Sequence, residues 1–358
     1  MPKDQTVTER RAIESWRARA CTAGLCCGAQ VFLFGTGTAM PMALNSAWIA
    51  AMLSLPFSVL VAAVCRKRSV LHAGTASRAA LFLLALTLLA NAVFAAAALV
   101  NFAEQTLLEQ ARILWIVLAT VISVFLCALS GGDGISWLCF SLRWVLPILV
   151  FVLILASVPM KVPSGLFPLL GPGKTELGVS TLCMLGASSP ILMLFLPPPE
   201  IVQMNESSLH LSVPKTGFFV RRVLTGAAAG ALILFCACVC TTYESIAESA
   251  EWGSRLRIVA SDQPHEGLPQ TLLIALQMTA ILLLGASMLS AAAQALACAM
   301  KKDVHSRTAL AMLSLLMLGL LLLLISCGFD IALFAAPLLL IPMLLVLLLS
   351  KKRETASS

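Results

Sequence analysis

A handful of polar side chains sit deep inside long apolar runs of this 358-residue sequence, and any chemistry it performs falls to them. They are Gln30, Thr36 and Thr38 in the first run, Asn91 in the third, Arg143 in the fifth, Ser188 and Ser189 in the sixth, and Gln277, Thr279, Ser287 and Gln294 in the eighth. Such groups are costly in hydrocarbon and mark ligand paths or helix contacts. Taken singly, each has an ordinary use. Ser and Thr bond back to their own helix, and Asn or Gln ties neighbouring helices together. Thr36, Ser188 and Ser189 stand apart because they adjoin residues that make poor helix. Thr36 lies in Gly35-Thr36-Gly37-Thr38-Ala39-Met40-Pro41, and the serines lie in Gly186-Ala187-Ser188-Ser189-Pro190. In lipid, a backbone that stops being helical survives only beside a cavity or a ligand. The N–H groups freed at such a break, at the positive end of a half-helix dipole, would hold a carboxylate. Freed carbonyls and hydroxyls would accept from an ammonium. Neither break carries an acidic side chain, so the chemistry expected is recognition of a small neutral or zwitterionic molecule rather than a bare cation.

Catalysis finds little support. The four histidines, His72, His210, His265 and His305, all fall between apolar runs. There is no His-Glu-x-x-His pair, no Gly-x-Ser-x-Gly elbow and no phosphate-cradling Gly-x-x-x-x-Gly-Lys run. Gly131-Gly132-Asp133-Gly134 reads as a tight cytoplasmic turn before the fifth run, with Arg143 a few residues beyond it. The 12 cysteines lie in or at the ends of apolar runs, and those of Cys236-Ala237-Cys238-Val239-Cys240 alternate, so they point to different helix faces and make no metal cage. They are expected to act as small buried hydrophobes. No enzyme, cofactor or metal site is expected.

The elements that must position these residues are membrane spans. The chain is 59% hydrophobic and 11% charged, with a mean hydropathy of +0.96, whereas soluble domains carry roughly 25% charged residues. Ten apolar runs are long enough to cross about 30 Å of hydrocarbon. They lie near 20–44, 46–65, 79–101, 112–130, 135–158, 177–198, 217–240, 268–298, 308–328 and 331–350. The net charge of +7 does not point to nucleic acid, because the basic residues cluster between runs. With both termini cytoplasmic, 18 of the 24 Lys and Arg residues fall in inner segments, five in outer ones, and Arg143 within a span. That asymmetry obeys the positive-inside rule and supports an even number of spans. Residues 1–19 read as a cytoplasmic tail without a signal peptide. The acidic segment 241–267 reads as a short amphipathic helix on the outer face. Ten spans divide into five (20–158) and five (177–350), with a broken helix opening each set. Broken helices at matching positions of two halves point to a transporter-type site.

Several of these residues also form a family pattern. Gly35-Thr36-Gly37 with Pro41 resembles the first-helix break of the amino acid–polyamine–organocation superfamily. Ala47-Trp48, Gly132-Asp133-Gly134 leading to Arg143, Leu166-Phe167-Pro168-Leu169-Leu170-Gly171, and Gly186 with Pro197 resemble the B subunit of spore-germination receptors, the GerAB-type endospore germination permeases. The chain departs from many relatives in having Ala187, Ser188 and Ser189 where an acidic residue follows the sixth-span glycine, and in its single tyrosine, Tyr243. The resemblance implies an all-α LeuT-like bundle of about ten transmembrane helices, a 5+5 inverted repeat with helices 1 and 6 broken. It implies a sensor of a small germinant, commonly an amino acid, in the spore inner membrane, working with an A-type membrane subunit and a C-type lipoprotein subunit. An amino acid secondary transporter of the same superfamily is the alternative. On this reading the ligand binds near Gly35, Thr36, Gly37, Gly186, Ala187, Ser188 and Ser189, with Asn91 and Thr279 or Ser287 closing the pocket.

Overall fold

Leu, Ala and Val dominate the ten apolar runs, and in lipid such sequences satisfy their backbone only as helix. The computed structural model describes residues 3–69, 75–106, 112–145, 147–149, 151–152, 173–196, 216–240, 268–300, 307–326 and 331–352. Helix occurs at each of the ten runs. In chain order they are α1 (Lys3–Phe34), α2 (Ala47–Lys67), α3 (Thr75–Thr106), α4 (Ile113–Leu129), α5 (Gly131–Leu142), α6 (Lys174–Met184, together with its 3₁₀ continuation Leu185–Phe195), α7 (Thr216–Cys240), α8 (Leu268–Ala299), α9 (Arg307–Ser326) and α10 (Ile331–Leu349). Among the described residues seven are long and apolar enough to cross a membrane alone; α4 and α5, bent by 94° at their junction, would make an eighth. The segment 241–267 and the Leu166–Gly171 stretch lie outside the described residues, as do the four histidines.

The packing partners reveal the internal symmetry. α1 packs on α7, and its counterpart five helices along, α6, packs on α2. The same exchange pairs α1–α5 with α6–α10, α3–α10 with α8–α5, α3–α9 with α8–α4, and α1–α8 with α6–α3. The contacts α1–α6, α2–α7, α3–α8 and α4–α9 map onto themselves. With five helices to a set, this exchange of partners is the pattern of an inverted repeat. At the centre, α3 is buried on every side from Asn91 to Val100.

Glycines set the closest approach. Gly24 and Gly28 on α1 face Gly226 and Gly230 on α7 in matched Gly-x-x-x-Gly spacings, a pattern that lets membrane helices touch backbone to backbone. A Cβ on Gly24 would lie 2.6 Å from the Arg222 carbonyl oxygen, and one on Gly226 would strike the backbone of Gly24.

Two expectations need correction. The tail expected over 1–19 is helical from Lys3, and Arg19 is buried within the first span. The turn expected over Gly131–Gly134 is confined to its start: Gly131 has φ +81°, and the helix runs on from there with Asp133 in its first turn. The breaks expected in the first and sixth helices fall where they were placed, as a π turn at Gly35–Ala39 and a 3₁₀ run at Leu185–Phe195.

Candidate ligand site

The first irregular stretch continues α1. Gly35–Ala39 forms a π-helical turn in which the Met40 N–H reaches back to the Gly35 carbonyl, followed by an α-helical turn, Met40–Ala43. Gly35 suits the widened turn because a Cβ there would strike the Leu234 side chain of α7. The Thr36 hydroxyl donates to the carbonyls of Phe32 (3.1 Å) and Leu33 (3.0 Å). The departure from helix comes later, at Leu44, whose φ of 52° lies in the region glycine favours. The second stretch continues α6 as a 3₁₀ helix, Leu185–Phe195. Runs of 3₁₀ longer than about four residues are uncommon, and both 3₁₀ and π segments within helices mark functional positions. Pro190, which has no N–H to give, lies inside this stretch, and Gly186 to Phe195 are all buried. The half-helix N-terminus expected to hold a carboxylate is therefore replaced by two continuous but re-pitched helices.

Where α1 meets α6, neutral polar side chains from three helices converge. Gln30 Nε2 donates to Asn91 Oδ1 at 2.5 Å and approaches Ser189 Oγ at 3.3 Å. The Ser189 hydroxyl lies 2.8 Å from both Asn91 Oδ1 and the Gly186 carbonyl, to which it donates. Asn91 Nδ2 returns a bond to the Thr87 carbonyl at 2.7 Å. Beside them Ser188 and Ser58 of α2 share a hydroxyl–hydroxyl bond of 2.7 Å, and the Cys27 thiol contacts the Ala187 carbonyl at 3.8 Å. Gln30 is 2% exposed, and its Oε1 is buried with no partner among the described residues. The arrangement offers one unused acceptor in an otherwise satisfied, uncharged cluster.

A second polar group lies on the same helices. Arg19, 2% exposed, donates through Nη2 to Gln294 Oε1 (2.7 Å) and through Nε to the Met193 carbonyl (3.3 Å). With Thr22, Gly132, Ser136 and Ser287 it borders a small polar cavity. The Ser287 hydroxyl is buried and unpartnered among the described residues.

Of the residues expected at the site, Asn91, Gly186, Ala187, Ser188 and Ser189 come together with α1 at the crossing. Gly35, Thr36 and Gly37 lie buried in the π turn. Ser287 faces the Arg19 cavity instead, and Thr279 is exposed, its hydroxyl turned back to the Ala275 carbonyl. Arg143 donates to the Phe140 carbonyl at 2.6 Å and covers the Phe140 ring at 3.9 Å. Sequence reasoning did not place Gln30 or Ser58 at the site. Gln30 was visible as a polar residue in an apolar run, but its partner is 61 residues away. Among the described residues no group of three His, Cys, Asp or Glu side chains is placed to hold a metal.

No protein-family model matches the sequence, and no curated protein matches it. Solved structures match in fold. A manganese transporter of Eremococcus coleocola superposes with a TM-score of 0.57 at 15% identity, covering 94% of this chain and 76% of that one. The same transporter in complex with an aromatic bis-isothiourea substituted compound gives 0.53 at 16% identity, covering 98% and 77%. Mhp1, a nucleobase-cation-symport-1 family transporter, gives 0.48 at 13% identity, covering 86% and 71%. At such identities what is shared is architecture: the chain is an all-α membrane protein with the LeuT fold of secondary transporters.

Proposed function

We propose that this chain is the permease-like membrane subunit of a spore nutrient-germinant receptor, and that its germinant, an amino acid, binds at the α1–α6 crossing. The observation that carries the reading is the Gln30–Asn91–Ser189 cluster: uncharged groups from three helices meet where α1 crosses the 3₁₀ continuation of α6, with the Gln30 carbonyl oxygen unused. An ammonium group would take Gln30 Oε1 and Asn91 Oδ1, while a carboxylate would take the hydroxyls of Ser188 and Ser189. In this arrangement these groups bond one another, so the ligand must replace internal bonds. It favours a second arrangement of α1 and α6 only by its differential affinity for the two. The shift would pass to an A-type membrane subunit and a C-type lipoprotein subunit in the spore inner membrane. Both termini would face the cytoplasm, as the 18-to-5 division of basic residues favours.

The E. coleocola neighbour is a manganese transporter by its description. A hard divalent cation prefers charged oxygen ligands, and neither re-pitched segment carries an acidic residue, so metal transport is not the reading adopted. An amino acid secondary transporter is the second reading, favoured by the fold shared with transporters. Purified protein in proteoliposomes separates the two. Saturable binding of labelled amino acid without accumulation is expected; uptake over many turnovers per protein would favour the transporter. In spores, Asn91→Leu and Ser189→Ala, each at normal protein level, are expected to abolish the response to one nutrient while other nutrients still act. An unchanged response in both would remove the site from consideration.

A further inference from the structure

Another cavity lies on a different face of α1 from the crossing. It is a narrow cleft of about 80 Å³ between α1, α5, α7 and α8, several times the roughly 10–15 Å³ that holds one water and room for a short-chain molecule. Its walls are apolar, with Leu25 and Phe32 from α1, Ile233 from α7, and Ile281 and Leu284 from α8. Part of its lining is Gly28, Gly226 and Gly230, where the close approach of α1 and α7 leaves no side chain to fill the space. One polar side chain is out of keeping with these surroundings. Gln277 of α8 is 4% exposed, and both its amide nitrogen and its amide oxygen are buried with no partner among the described residues. A primary amide buried unpaired is costly, and a pair of orphaned groups on one side chain requires an explanation.

We propose that the cleft binds a neutral amphiphile: a molecule with an apolar body and one hydroxyl or carboxamide group, which pairs with the Gln277 amide. The chemistry follows from the two orphaned atoms. Nε2 needs an acceptor and Oε1 needs a donor, so the partner group must be both, as a hydroxyl or a carboxamide is. A charged head group is excluded by the lining, whose only ionisable members are the thiols of Cys26 and Cys139. The aliphatic and aromatic walls call for hydrocarbon. The site is separate from the α1–α6 crossing and does not depend on what binds there.

The test uses the full chain in lipid nanodiscs with a diazirine-bearing octanol as photoprobe. Saturable labelling is expected on α8 near Gln277 and on α7 near Gly230. At equal concentration in the bilayer, 1-octanol should compete about five- to tenfold better than octane, the worth of one neutral hydrogen bond. Gln277→Leu should erase that preference while raising the thermal midpoint, since it removes an unpaired amide; Gln277→Met, which keeps the side-chain length, should do the same. Equal competition by octane would overturn the proposal, as would labelling spread evenly over the lipid-facing helices. A fall in thermal midpoint for both variants would also overturn it, by showing that the amide already has a partner within the protein.

Discussion

Asn91 takes hydrogen bonds from both Gln30 and Ser189 at a single oxygen, and this makes it the most consequential side chain in the buried cluster. Asn91→Leu leaves the buried Gln30 amide without its shortest acceptor, while the Ser189 hydroxyl keeps the Gly186 carbonyl. The expected cost is about 1–3 kcal/mol, read as a lowered thermal midpoint in detergent. Replacing all three groups with apolar ones, Gln30→Leu and Ser189→Ala on the Asn91→Leu background, should recover most of the loss, because no donor is then left unpaired. A triple variant no more stable than the single one would show that the cluster does not act as a unit. Arg19 poses the same question with a charge. Its guanidinium is held by Gln294 and the Met193 carbonyl, and the Asp133 carboxylate acts on it electrostatically. Gln294→Leu should cost about 1.5–3 kcal/mol, the range for hydrogen bonds to charged groups. The pair Arg19→Met with Gln294→Leu should cost less than Gln294→Leu alone.

At the scale of elements, the places where the helices change character were legible, but what happens there was not. Gly35, Gly37, Gly186 and Pro190 announce weak helix through their own propensities. Whether such a stretch unwinds, widens or tightens depends on neighbours distant in the chain, such as Leu234 against Gly35. The same limit explains Arg19, which looked like the end of a tail because nothing local reveals Gln294, 275 residues away. The glycine pairing of α1 and α7 was open to inspection, since Gly24, Gly28, Gly226 and Gly230 stand four apart on both helices. Partner choice, however, needs the fold. These glycines separate sharply from others on substitution. Gly226→Ala drives a Cβ into the Gly24 backbone and should block assembly of α1 with α7, seen as loss of the monodisperse peak in detergent. Gly319 in α9 has nothing within 4 Å of where a Cβ would sit. Gly319→Ala should therefore stabilise by about 0.5–1 kcal/mol through helix propensity alone. Similar behaviour of the two variants would mean that α1 and α7 are not in backbone contact.

Across the whole molecule, the division into five and five was inferred from where the weak helix falls, and the packing partners realise it without any visible sequence repeat. Pseudo-symmetry of this kind resides in which helix touches which, so side-chain identity is free to diverge. One small feature joins the two ends of the bundle. Arg68–Ser69, just after α2, pairs antiparallel with Lys351–Lys352, just after α10, with Ser69 opposite Lys351. Both segments are therefore on one side of the membrane, and both are basic, which by the positive-inside rule is the cytoplasmic side. Opposed residues in an antiparallel pair have Cα atoms about 4.5–5.5 Å apart, inside the roughly 4.4–6.8 Å span of a disulfide. Ser69→Cys with Lys351→Cys should therefore cross-link on mild oxidation, and each single variant should not. Background is low, because the described native cysteines are free and buried or half-buried. Each single cysteine should react with a membrane-impermeant maleimide in inverted vesicles and be protected in right-side-out ones. Cross-linking combined with labelling from the outside would keep the bridge and reverse the bundle in the membrane, which would place Arg66, Lys67 and Arg68 outside and set this chain against the charge rule that its 18-to-5 distribution otherwise follows.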